Sequence, residues 1–203
     1  MTRTMHYCSK LSKRVKLQWQ NWYNWSDFDV LEEQLRKHYR TSFVVAEVCA
    51  GPNVAVPYAL ANLAGSFIYV SVDILIHHIL LQRSGVPSEK VNGVLGDAVY
   101  PPLAKNSVDL IIFHHAIDDI FETRGMAGVA LAIENAFETL KKGTGCMIFT
   151  HSIMDFDPDT RKVDLTDVES ILNKAFDCRQ TRINSGQEWL VVDNIHRLSE
   201  RSP

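Results

Sequence analysis

From residue 43 onward, short apolar runs alternate with longer stretches whose apolar positions recur every three or four residues. Phe43-Val44-Val45-Ala46 reads as a buried strand ending near Glu47–Cys49. A Gly51-Pro52-Asn53 turn follows, and a helix opens around Pro57, a residue tolerated in a first turn. A second strand, Ser66–Ile74, ends in Asp73, and the helix after it is closed by Gly85 and Pro87. A third strand ends at Asp97, and the fourth, Val108–His115, is nearly all apolar, as a central parallel strand should be. The spacing of Val129, Ala132, Ile133, Ala136, Phe137 and Leu140 predicts a helix from Gly125 that stops at Gly143. A fifth strand follows, GCMIFTHS, and Thr166 with Glu169 frames a capping box for the next helix. The last two strands, CRQTRIN and EWLVVDNIH, pair across Ser185-Gly186 as a hairpin.

Upstream, residues 9–40 carry a helical pattern broken once. Val15, Trp19, Trp22 and Tyr23 fall on one helical stripe. Ser26 and Asp29 then suggest a capping box for a second helix that places Phe28, Leu31 and Leu35 on one side. The tryptophans, Trp25 included, read as packing against the sheet or over a pocket; three aromatics among lysines do not make a nucleic-acid platform. The expected organisation is a single domain over residues 1–203, with a helical extension at 1–40 and an α/β core at 41–198.

Composition narrows the function classes. A formal net charge of −3 gives no overall pull toward nucleic acid. No apolar run approaches the roughly 20 residues of a membrane span, and the basic N-terminus lacks the apolar centre of a signal peptide, so a cytoplasmic protein is expected. Cys8, Cys49, Cys146 and Cys178 have no metal-ligand spacing, and the types His114, Asp118, His151 and Asp155 permit a metal without a tight spacing to support one. No metal is expected.

The order of these motifs resembles the class I S-adenosylmethionine-dependent methyltransferases. Glu47-Val48-Cys49-Ala50-Gly51-Pro52-Asn53 stands where that family has an acidic residue and a glycine-rich run. Asp73 matches the acidic end of strand two, Gly96-Asp97-Ala98 the third motif, and Leu140-Lys141-Lys142-Gly143 the approach to strand five. The terminal hairpin also fits, and the resemblance covers about residues 43–195. It implies a Rossmann-like three-layer sandwich with a mostly parallel seven-stranded sheet and an antiparallel last strand. It also implies S-adenosylmethionine as cofactor and methyl transfer to an acceptor, more in keeping with a small molecule than with nucleic acid. The aminomethyltransferase signature of Pro-Pro followed by an aromatic residue is absent after strand four.

Asp73, about 20 residues beyond the glycine turn and expected near solvent, is placed to accept from ribose hydroxyls. By resemblance, Ile74 lies beside it on the cofactor, Asp97 accepts from the adenine amino group, and the Ala98 N–H reaches the ring. Glu47 orients the turn or meets the positive end of the cofactor; Cys49, Ala50, Gly51 and Asn53 form the turn, and His114 closes the cofactor side. Cys49 and Asn53 depart from the family's glycines, and Cys49 adds a side chain where the backbone approaches the cofactor. His114, His115 and Asp118 are the candidates for a proton acceptor, with His151 at the rim; the two adjacent histidines point to opposite faces if the strand persists. Two other readings stand beside this one: a non-catalytic binding or scaffold protein, favoured by Cys49 and Asn53, and a nicotinamide-dependent oxidoreductase, disfavoured by the hairpin.

Overall fold

The computed structural model describes residues 25–38, 42–51, 55–61, 63, 66–76, 78–80, 91–151, 163–184 and 188–200. The stripe through Trp19 and Trp22, the residues Asn53 and Asp155, and the Ser185-Gly186 turn lie outside them. In chain order the elements are α1 (Trp25–His38), β1 (Phe43–Val48), α2 (Ala55–Ala61), β2 (Phe67–Asp73), β3 (Val91–Leu95) and β4 (Leu110–His114). They continue with α3 (Ala116–Thr139), β5 (Cys146–His151), α4 (Leu165–Ala175), β6 (Phe176–Asn184) and β7 (Glu188–Arg197).

The seven strands form one sheet in the order β3-β2-β1-β4-β5-β7-β6. All neighbouring pairs from β3 to β5 are parallel, while β7 runs antiparallel to both β5 and β6. Strand order therefore reverses between β1 and β4, the place where open α/β sheets leave a crevice at their carboxyl ends.

Alternation along each strand divides the core into two layers. Ala46, Ile111, Phe113, Met147 and Phe149 face α3 and α4, where Val129, Ala132, Ile133, Ala136, Val168 and Leu172 meet them. Val45, Tyr69, Leu110, Ile112 and Ile148 face α1 and α2, packed by Leu31, Leu35, Val56 and Leu60. All five residues of β4 are buried. Each of its fully buried Leu, Ile and Phe side chains contributes about 1.5–3 kcal/mol, so the strand that carries His114 is held firmly. At the opposite sheet edge the Asp109 carboxylate accepts from the Val44 N–H and Lys141 Nζ, each at 2.8 Å, stitching β1 to β4.

Several local expectations are corrected. Ser26 lies inside α1. Helix α3 begins at Ala116, breaks at Gly125 (φ 65°, ψ −172°) and ends at Thr139, leaving Gly143 (φ 73°) in the turn before β5. The cap of α4 is Asp164, whose side chain accepts from the Thr166 and Asp167 N–H groups, with Asp167 completing the box. Thr166 and Glu169 instead receive the guanidinium of Arg182 from β6. Among the described residues, no helix is long and apolar enough to cross a membrane.

Candidate functional site

The carboxyl ends of the parallel strands bring most of the expected residues to one sheet edge. Glu47, Cys49, Ala50 and Gly51 come from β1 and its turn, Asp73 from the end of β2 and Ile74 from the bend after it, and Asp97 and Ala98 from the segment after β3. His114 ends β4, His115 and Asp118 open the next element, and His151 ends β5.

The first turn is tight. Cys49 (φ 51°) and Gly51 (φ 58°) both adopt left-handed backbone, which glycine accepts freely and a side-chain-bearing residue does not. The Asp73 carboxylate ties this turn to its own strand: Oδ2 accepts the Gly51 N–H at 2.8 Å and Oδ1 the Leu75 N–H at 2.7 Å. His78 Nδ1 stands 3.3 Å from the same Oδ1. Asp73 is 5% exposed rather than solvent-edged, because its carboxylate folds back under Gly51. Ile74 and Leu95, by contrast, are exposed beside it and leave apolar surface open at the mouth. The carboxylates of Asp119, Asp73 and Asp97, together with burial, push the Cys49 thiol up to about 12. Burial is the largest cause. Cys49 is therefore held toward the neutral thiol.

Asp97 is occupied on both oxygens. Oδ1 accepts the Val99 N–H at 2.9 Å, closing the turn after β3, and Oδ2 receives Arg124 Nη2 at 2.5 Å. Tyr69 and Arg124 enter the site without a motif to announce them. Tyr69 is reached only by noting that it shares a sheet face with the carboxylate opposite, and Arg124 has no local signal.

Two histidine–carboxylate pairs lie on the β4–β5 side. Glu47 is buried, accepting the Tyr69 hydroxyl at 2.5 Å on Oε2. Its Oε1 has no hydrogen-bond partner and lies 3.6 Å from His114 Nδ1. Burial raises Glu47 to about 8, against the Tyr69 bond, with Asp73 adding to the rise. Burial lowers His114 to about 4. At neutral pH the carboxyl keeps its proton and the imidazole stays uncharged.

The second pair is His151 Nδ1 and Asp118 Oδ2, 3.3 Å apart at the rim. The Asp118 bond raises the His151 pKa against partial burial, and Glu188 and Asp164 act in the same direction. Neighbouring Asp119 is also raised, first by desolvation, then by Glu122, Asp118 and Asp73, with His78 opposing. β4 ends one residue before His115, which turns into left-handed backbone (φ 56°, ψ 18°) and donates its N–H to Thr150 Oγ1 at 3.2 Å. The two adjacent rings consequently lie 4.6 Å apart instead of on opposite faces.

No protein-family model and no curated protein sequence matches the chain. Solved structures do share its fold. A Methanococcus maripaludis chain assigned as an S-adenosyl-L-methionine-dependent methyltransferase superposes with a TM-score of 0.66 at 16% identity, covering 93% of this chain and 90% of that one. An S-adenosylmethionine-dependent methyltransferase from Aquifex aeolicus gives 0.64 at 14% identity, covering 91% and 96%. A TehB-like methyltransferase from Corynebacterium glutamicum gives 0.63 at 10% identity, covering 93% and 98%. The fold is that of the Rossmann-like class I methyltransferases, down to the antiparallel β7.

Proposed function

We propose that the chain binds S-adenosylmethionine and transfers its methyl group to a small-molecule acceptor. The observation that carries this reading is the joint placement of Asp73, Asp97 and the Gly51 turn at the carboxyl edge of a sheet ordered β3-β2-β1-β4-β5-β7-β6. The donor and acceptor chemistry fits the group. With its carboxyl neutral, Glu47 Oε1, which has no hydrogen-bond partner, offers a hydrogen bond rather than a counter-charge to a polar group of the ligand. The exposed Ile74 and Leu95 offer apolar surface to a flat ring.

Bound cofactor supplies a methyl group already activated on a sulfonium, so the protein's tasks are alignment and exclusion of water. Asp73 is assigned to the ribose hydroxyls, Asp97 and the Ala98 N–H to the base, and Cys49, Ala50, Gly51 and Asn53 to the turn against the cofactor. His114, with its lowered basicity, serves as wall on the cofactor side. His115 supports the turn through Thr150. The Asp118-held His151 is the better proton acceptor at neutral pH, because its basicity is raised where that of His114 is lowered. The carboxylates of Asp118, Asp119, Asp164 and Glu188 on this side argue against a polyanionic acceptor such as nucleic acid.

Calorimetric titration with S-adenosylhomocysteine tests the reading. Wild type is expected to bind saturably, and Asp73→Asn to bind about 10- to 150-fold more weakly, the equivalent of a charge-assisted contribution of about 1.5–3 kcal/mol. Unchanged affinity in the variant removes Asp73 from the site. A second reading, a non-catalytic binding or scaffold protein, is favoured by the left-handed Cys49 where the family has glycine. Absence of binding by the wild type supports that reading, and binding of a nicotinamide dinucleotide alone supports an oxidoreductase.

A further inference from the structure

Arg124 is the last residue before the Gly125 break in α3. The helical arm that carries it, from Ala116 on, is fixed by the buried side chains of Ala116, Ile117 and Ile120, so the arm itself is not free to swing. Gly125 has no atom within 4 Å of where a Cβ would stand, so it is glycine for its φ of +65° and not for space. At Gly128 the opposite holds: a Cβ would fall 2.1 Å from Arg124 Cβ, so the missing side chain makes room for the arginine stem. The break and the gap together direct the guanidinium onto Asp97 Oδ2 at 2.5 Å, on a side chain that is 49% exposed. The second Asp97 oxygen is engaged by its own turn.

We infer that Arg124 competes with the cofactor's base for Asp97 and is a residue that tunes affinity and base selectivity at this site. The inference rests on the cofactor reading above, in which Asp97 accepts an exocyclic amino group. A carboxylate oxygen satisfied by a guanidinium offers less to a neutral amino donor, so binding requires Arg124 to swing aside or to share. The half-exposed side chain can do so without moving the arm. An exposed ion pair is a weak competitor, and one that salt screens.

The test compares wild type with Arg124→Gln, which keeps the stem over Gly128 and removes the charge. At about 0.05 M salt the variant is expected to bind S-adenosylhomocysteine about two- to fivefold more tightly, a gain that shrinks at about 0.5 M as the wild type catches up. S-inosylhomocysteine, which carries an oxo group in place of the amino group, should show no such gain. The salt series on wild type alone needs no variant: its affinity for S-adenosylhomocysteine should rise with salt. Equal affinities of the two proteins at low salt, or weaker binding by the variant, overturn the inference while leaving the cofactor reading intact. An equal gain for both ligands also overturns it, because Arg124 would then govern access and not base recognition. Binding by neither protein overturns the cofactor reading and this inference with it.

Discussion

The Glu47–His114 and Asp118–His151 pairs use the same two kinds of side chain, sit on the same edge of the sheet, and behave as opposites. Glu47 and His114 are sealed between sheet and helices, where charge separation has no solvent to support it. Both partners therefore turn neutral, the acid at about 8 and the imidazole at about 4. Asp118 and His151 stand where water still reaches them, and there the carboxylate strengthens the base it touches. Burial, and not residue identity, decides which histidine keeps a proton affinity useful near neutrality.

The largest expected contrast is in stability. Glu47→Ala removes a buried side chain and the Tyr69–Glu47 hydrogen bond, costing about 2–4 kcal/mol. Asp118→Ala at the rim should cost within about 1 kcal/mol. Urea denaturation of both variants measures the difference, and equal losses would break the comparison.

Next in size is a pH effect. Glu47 holds its proton from its ordinary 4.5 up to about 8 only when folded, so stability from this group falls as pH rises through that window. His114, lowered from 6.5 to about 4, does the reverse: stability rises with pH between those values. The two slopes oppose each other up to 6.5, and above it Glu47 acts alone. Wild type should lose about 2 kcal/mol between pH 6.5 and 8 relative to Glu47→Gln. Denaturation midpoints across pH check this, and parallel curves for the two proteins would contradict it. The smallest effect is spectroscopic. In Asp118→Asn the His151 imidazole should titrate at lower pH by NMR, while the His114 signal stays unprotonated above pH 5 in both proteins. A His151 titration unmoved by the substitution would show that Asp118 does not tune it.

The sheet was legible because its strands are apolar runs closed by residues with a reason to be there: Gly51 for a left-handed turn, Asp73 and Asp97 for backbone N–H groups. What escaped the sequence is set by contacts distant in the chain. Asp164 and Thr166 each have an acidic residue three positions later, and the choice between them is made by Arg182 on β6, which takes Thr166 and Glu169. The arm from Ala116 to Arg124 precedes the helix expected from Gly125, and the buried Ile117 and Ile120 hold it as the first part of α3. His115 escaped alternation because β4 ends one residue earlier, where the Thr150 hydroxyl captures the chain. Arg124 had no signature, since its placement depends on a break in a helix and a gap at Gly128.

The reversed direction of β7 has a consequence for how such a protein diversifies. Because β7 runs against β5, its first residue, Glu188, pairs with His151 at the carboxyl end of β5, and Asn184 of β6 pairs with Glu188. Asn184 and Glu188 therefore stand at the same carboxyl edge of the sheet as Asp73 and Asp97, but on its β6–β7 side. On the proposed methyltransferase reading, lengthening or recomposing the chain between them would be a modular route to new acceptors that leaves the cofactor half unchanged.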